Sequence, residues 1–145
     1  MAAAWAEKAL GLQKKEHVIE KRNGIPHFAE LPFEEKQKLI AKNPLYGQIV
    51  CRCETVTEGE IVDAIRRPLG ARSLDGVKRR TRAGMGRCQS GFCLPRVCEI
   101  LHREIGILRD MITKCGGDSR VAAGYTKGEK GSCDREDGRR HHEEM

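Results

Sequence analysis

Apolar positions recur at helical spacing in five stretches, separated by polar or glycine-rich runs. Trp5, Ala9 and Leu12 share one face and predict a short helix over residues 2–12, with nothing adjacent in sequence to cover that face. Residues 13–31 are polar and mixed around Asn23-Gly24-Ile25-Pro26 and read as a loop. Pro32 suits the opening of a second helix, and Glu34 and Glu35 suit its positive end. Phe33, Leu39 and Ile40 are expected to face inward, and Asn43-Pro44 stops the run. Gly47 to Val50 is a short extended approach to Cys51. Thr57-Glu58-Gly59-Glu60 has the spacing of a capping box, so a helix should run to about Arg67 and bury Ile61, Val62 and Ile65. Pro68-Leu69-Gly70 ends it. Ser73 is placed to cap another helix through about Arg80, with Leu74 and Val77 inward. Pro95 sits in the first turn of the last helix. Its stripe is Val97, Ile100, Leu101, Ile105 and Leu108, with a break near Gly106 and His102 on the polar side.

The pattern therefore predicts a mainly α fold of short helices. Residues 81–93 carry Gly84, Gly86 and Gly91 and are loop-like. After Gly116-Gly117 helical periodicity is lost, and residues 126–145 are rich in Lys, Gly, Glu, Asp and Arg, which predicts a flexible tail. The expected organisation is an N-terminal extension over 1–46, a central domain over 47–108 and a largely flexible extension over 109–145.

Composition sharpens this. Only 39% of the 145 residues are hydrophobic and 4% aromatic, so the core must be small, and small cores often depend on a metal or another staple. The formal charge of +6 suits an acidic partner, a polyanion or a negatively charged prosthetic group. No apolar run approaches the roughly 20 residues of a membrane helix, and the N-terminus has no signal-peptide pattern. A reducing, cytoplasmic setting is the expectation. Seven cysteines are then poorly explained as a disulfide framework, and metal binding is the better reading for some of them.

Four of the cysteines form two tight pairs. Cys51-Arg52-Cys53 precedes a capped helix, and Cys88-Gln89-Ser90-Gly91-Phe92-Cys93 lies on a glycine-rich loop running into another. At such junctions backbone N–H groups are free to point at sulfur, and glycine permits close approach. A four-thiolate [2Fe–2S] cluster carries net negative charge, and Arg52, Lys78, Arg79, Arg80, Arg82 and Arg87 lie within or between the pairs. Structural zinc also takes four cysteines, but usually from pairs spaced by about two to four residues. Cys-x-Cys favours the cluster and leaves zinc open.

These residues resemble a known family. Val50-Cys51-Arg52-Cys53-Glu54 followed by Gly86-Arg87-Cys88-Gln89-Ser90-Gly91-Phe92-Cys93 resembles the BFD-like [2Fe–2S] domain, named for bacterioferritin-associated ferredoxin. The resemblance implies Cys51, Cys53, Cys88 and Cys93 as cluster ligands and a small helix-turn-helix-like frame around them. Leu74 to Thr81 looks like the version fused to flavin-dependent dehydrogenases. Ser90 departs from the family, in which glycine is common there. Upstream, Gly24 to Leu31 and Asn43 to Gly47 look like the segment joining a flavin domain to this domain in FAD-dependent oxidoreductases similar to anaerobic glycerol-3-phosphate dehydrogenase. FAD would sit on a separate or preceding domain, since no Gly-x-Gly-x-x-Gly loop occurs here. The implied role is a one-electron relay between a flavoprotein and an unknown acceptor, and part of an enzyme rather than a whole one. The competing roles are a structural zinc or iron–sulfur domain and a regulatory docking module.

The remaining features weigh less. Lys78 to Arg82 reads as a surround for an anionic cluster or a solvated face in preference to a nucleic-acid footprint. Cys98 reads as a small buried thiol, Cys115 and Cys133 as free, and His141-His142 as weak metal scavengers. No nucleophile–base pair recommends hydrolytic catalysis. The sequence does not set the oligomeric state.

Overall fold

A computed structural model describes residues 9–11 and 24–123. The fold is mainly α. A 3-10 turn at Phe28–Glu30 leads to helix α1, Phe33–Lys42, and a second 3-10 turn at Pro44–Gly47 leads to strand β1, Ile49–Cys51. Strand β2, Val56–Thr57, returns antiparallel to β1 with Ile49 opposite Thr57 and Cys51 opposite Val56. Helix α2, Glu58–Arg66, follows at once. Helix α3 is Leu74–Thr81, helix α4 is Leu94–Ile105, and a last 3-10 turn covers Arg109–Met111.

Local chemistry sets these boundaries. The Thr57 hydroxyl accepts from the Glu60 N–H while the Glu60 carboxylate reaches back to the Thr57 N–H, which is the expected capping box. Ser73 accepts from the Gly76 N–H at the start of α3. Arg82 and Gly106 end α3 and α4 in the left-handed conformation. Gly70 turns the chain so tightly after α2 that an added Cβ would lie 1.8 Å from the Ile65 carbonyl oxygen.

Helices α2, α3 and α4 enclose a single core whose most deeply buried side chains include Ile61, Ile100, Leu101 and Ile112. The segment after α4 belongs to this core. Ile112 is 1% exposed, and the Thr113 and Lys114 carbonyls accept from the Leu74 and Asp75 N–H groups at the start of α3. Upstream, the Tyr46 ring lies on the α2 backbone, where a Cβ added to Gly59 would meet it at 2.4 Å, and its hydroxyl donates to Asp63. Burial and the Asp63 carboxylate together push the Tyr46 phenol well above its usual range.

Two expected orientations are corrected. Phe33 is 73% exposed, on a helix that buries no residue fully; the first turn meets the preceding segment through Lys36, which reaches the Ala29 carbonyl and the Phe28 ring. His102 is buried and not on a polar face; α4 ends three residues later and the chain folds back, so Nδ1 lies 2.9 Å from the Ile107 carbonyl oxygen. Of the helix expected over 2–12, Ala9 and Leu10 are helical and Gly11, at a φ of 60°, is not; residues 2–8 and 12, Cys133, His141-His142 and the 126–145 tail lie outside the described residues.

Candidate metal centre

The four paired cysteines come together from two loops. Cys51 ends β1, and Cys53 sits in the turn to β2, where Thr55 takes a positive φ of 52°. Cys88 lies in the loop before α4, and Cys93 is the residue from which α4 starts. The thiols meet as two couples: Cys53 hydrogen-bonds Cys88, and Cys51 hydrogen-bonds Cys93. Cys88 and Cys93 also interact electrostatically, which joins the couples. Among the described residues, no three His, Cys, Asp or Glu side chains form a group suited to one metal ion.

The couples face opposite ways. Cys51 and Cys93 are 1% and 3% exposed, while Cys53 is exposed and Cys88 half-buried. Their electrostatics differ accordingly. The Phe92 N–H, then the Cys53 thiol and the Ser90 and Gly91 N–H groups, hold the Cys88 thiol below its usual range. Burial, then the neighbouring Cys51, pushes Cys93 up to about 11. Three N–H groups converging on one sulfur are the environment a thiolate ligand of an anionic cluster requires.

The second loop makes this possible through its backbone. Gln89 and Ser90 both take positive φ, 46° and 73°, a conformation that costs a side-chain-bearing residue about 1–2 kcal/mol. This geometry accounts for glycine suiting the position of Ser90. The Ser90 hydroxyl offsets part of the cost by donating to the Gly84 carbonyl at 3.4 Å. Gly86 is required by space: an added Cβ would lie 2.2 Å from the Cys53 Cβ. A cavity of about 450 Å³ backs onto Cys93, lined among others by Leu74, Lys78, Val97, Lys114 and Arg120.

A buried acidic brace, missed in the sequence, fixes the first loop. Glu58 is 1% exposed and receives Arg96 at 2.9 Å and Arg103 at 2.8 Å, both from α4. Burial alone would raise the Glu58 carboxyl, but the two guanidinium groups outweigh it and the pKa is lowered. Glu60 accepts from Thr57 with one oxygen and from the Phe28 N–H, 3.2 Å away, with the other. The spacing of Arg96 and Arg103, seven residues apart on one helix face, was the available signal.

The basic stretch is more divided than expected. Arg79 approaches Asp75, Arg80 donates to the Gly76 and Leu69 carbonyls, and Arg82 pairs with Glu54 beside Cys53. Cys98 is half-buried, and burial raises its thiol. Cys115 is exposed and contacts the Ser119 hydroxyl at 3.3 Å. Neither joins the four.

Residues 49–103 match the BFD-like [2Fe–2S] binding domain family. More particularly, the chain is 53% identical over 118 residues to a glycerol 3-phosphate dehydrogenase of Caloramator mitchellensis, a match covering 81% of this chain and 25% of that protein. It is 43% identical over 58 residues to hydrogen cyanide synthase subunit HcnB of Pseudomonas aeruginosa, covering 40% of this chain and 12% of the relative. One subunit of the anaerobic glycerol-3-phosphate dehydrogenase of Escherichia coli K12 matches at 41% over 64 residues, covering 44% of this chain and 12% of that protein. The chain thus spans a quarter or less of each of these relatives. No solved structure matches at a significant level.

Proposed function

We propose that Cys51, Cys53, Cys88 and Cys93 hold one [2Fe–2S] cluster and that the chain relays single electrons between a flavin and an acceptor. The observation that carries this is the meeting of four thiols as two couples, with three backbone N–H groups directed at Cys88. Two couples suit two irons, each needing two thiolates. The donor set is all sulfur, and the Gly86 position leaves the backbone close to Cys53 without a side chain between. When bound, the cluster supplies a reversible one-electron change. The chain's own residues set its surroundings: N–H groups and arginines offset negative charge, and Val56, Val97 and their core neighbours exclude water from the inner couple.

The flavin would reside on a separate or adjoining domain, a reading supported by relatives named as glycerol-3-phosphate dehydrogenases. The cluster unit would run from about residue 47 to 108, with the segment through Ile112 strapped to it. A cytoplasmic setting, where thiols stay reduced, belongs to the same proposal. Among the described residues no helix is long and apolar enough to cross a membrane.

Anaerobic, iron-replete protein should be brown, with about two irons and two sulfides per chain, and should bleach reversibly on reduction. Replacing any of the four cysteines with serine should remove the colour; Cys98→Ser and Cys115→Ser should retain it. Stoichiometric zinc without sulfide, in protein never exposed to air, would establish the structural-zinc alternative instead.

A further inference from the structure

The two couples give the centre an inside and an outside, and the outside carries an unusual set of residues. Phe92, which immediately precedes the ligand-position Cys93, is 88% exposed. Its N–H is spent on the Cys88 sulfur, so its backbone is held at the centre while its ring stands in solvent. Arg52 is the chain neighbour of both Cys51 and Cys53, and Arg87 is the chain neighbour of Cys88. Both are exposed, and neither makes a hydrogen bond or ion pair among the described residues. The nearby Arg82 differs, since Glu54 neutralises it. An exposed aromatic ring and two unpaired arginines, each a chain neighbour of a cysteine of the centre, have the make-up of a binding hot spot: an apolar anchor with a charged rim.

We propose that Arg52, Arg87 and Phe92 form the docking surface for a separate electron-exchange protein whose surface places carboxylates around an apolar recess. The charge complementarity of two unpaired arginines selects an acidic partner, and contact here brings that partner's redox group to the outer couple, the side from which the centre is least covered. The inference rests on the proposal that the four cysteines hold a cluster. In the exchange, the reduced partner loses one electron and the loaded chain gains it; no bond to this chain is made or broken.

The test uses the full, cluster-loaded chain and a reduced flavodoxin, an acidic flavoprotein, as the probe. Stopped-flow rates of electron transfer should fall about tenfold between low and physiological salt, as steering by opposite charge requires. Phe92→Ala and the double variant R52E/R87E should each slow transfer about tenfold or more; reduction by dithionite, a small anion that needs no docking, should stay unchanged in Phe92→Ala and should change much less than transfer from flavodoxin in R52E/R87E. Leu69→Ala and Arg72→Glu, on the α2–α3 loop, should leave both rates alone. Hydrogen exchange on the wild-type chain with flavodoxin should protect residues 86–94 and leave 66–72 unprotected, independently of how the variants behave. Unchanged rates in both variants, equal slowing by dithionite, or a footprint confined to 66–72 would overturn the proposal. Colour and iron content are read separately, so a chain that never held a cluster counts against cluster binding and is not mistaken for a failure of docking.

Discussion

The two cysteine loops reach the same centre by different means. The Cys51–Cys53 loop is a hairpin turn fastened from outside itself. Its strands pair, the Glu58 N–H bonds the Gln48 carbonyl across them, and Glu58 and Glu60 anchor α2 to α4 and to Phe28. The Cys88–Cys93 loop is fastened mainly by its own backbone: two consecutive left-handed residues, turns closed by Gly86 and Cys88 carbonyls, and N–H groups turned onto sulfur. The first loop is backed by the hydrophobic core, whereas the second backs partly onto a cavity. One half of the centre is preorganised by tertiary packing, and under the proposed function the other depends more on the cluster.

The largest expected effect comes from that dependence. Removing the cluster anaerobically should lower the melting temperature by more than about 10 °C, because binding to the native state alone contributes its free energy to folding. Hydrogen exchange should show residues 86–94 losing protection well before Ile49–Thr57. An unchanged melting temperature, or equal loss in both loops, would remove the contrast.

Gly86→Ala comes next. It forces a methyl group onto Cys53, the contact where the two loops meet, and should cost about 3 kcal/mol together with most of the bound iron, read by denaturant titration and metal analysis. Full iron content in this variant would show that the loops can separate without harm.

Glu58→Gln weakens the external fastening. Loss of two charged hydrogen bonds should cost about 2 kcal/mol at neutral pH. The pH dependence has a definite sign. The folded pKa of Glu58 is depressed, so its stabilisation is fully present above the unfolded carboxyl value of about 4.3 and is lost as pH falls through the lower folded value. Wild-type stability should therefore decline below about pH 4, and the variant's acid limb should be flatter. Parallel acid limbs would show that the brace carries no differential charge energy.

Ser90→Gly is the smallest. It relieves a left-handed side-chain-bearing residue but gives up a long hydroxyl contact, and should stabilise the chain by about 0.5–1 kcal/mol without altering iron content. Destabilisation would mean that the Ser90–Gly84 contact, and not backbone conformation, holds the second loop.

Much of the frame was legible because it is local. Capping by Thr57 and Ser73, Pro95 in the first turn of α4, the stop at Gly106 and the buried stripe of Val97, Ile100 and Leu101 depend on neighbours within about one turn, which periodicity and cap chemistry report directly. The cysteine spacing singled out four thiols of seven for the same reason. What the tertiary structure decided is which distant groups meet. Nothing near Glu58 in sequence announces that it is buried against Arg96 and Arg103, 38 and 45 residues on. Phe33 has an apolar side chain in an amphipathic run and still faces solvent, and His102 is buried because the chain turns back behind α4. The division of the four thiols into a covered and an open couple is likewise set by packing between loops 34 residues apart. Helix ends and cysteine spacing are short-range properties of the chain, whereas burial and charge pairing depend on what the fold places on the other side.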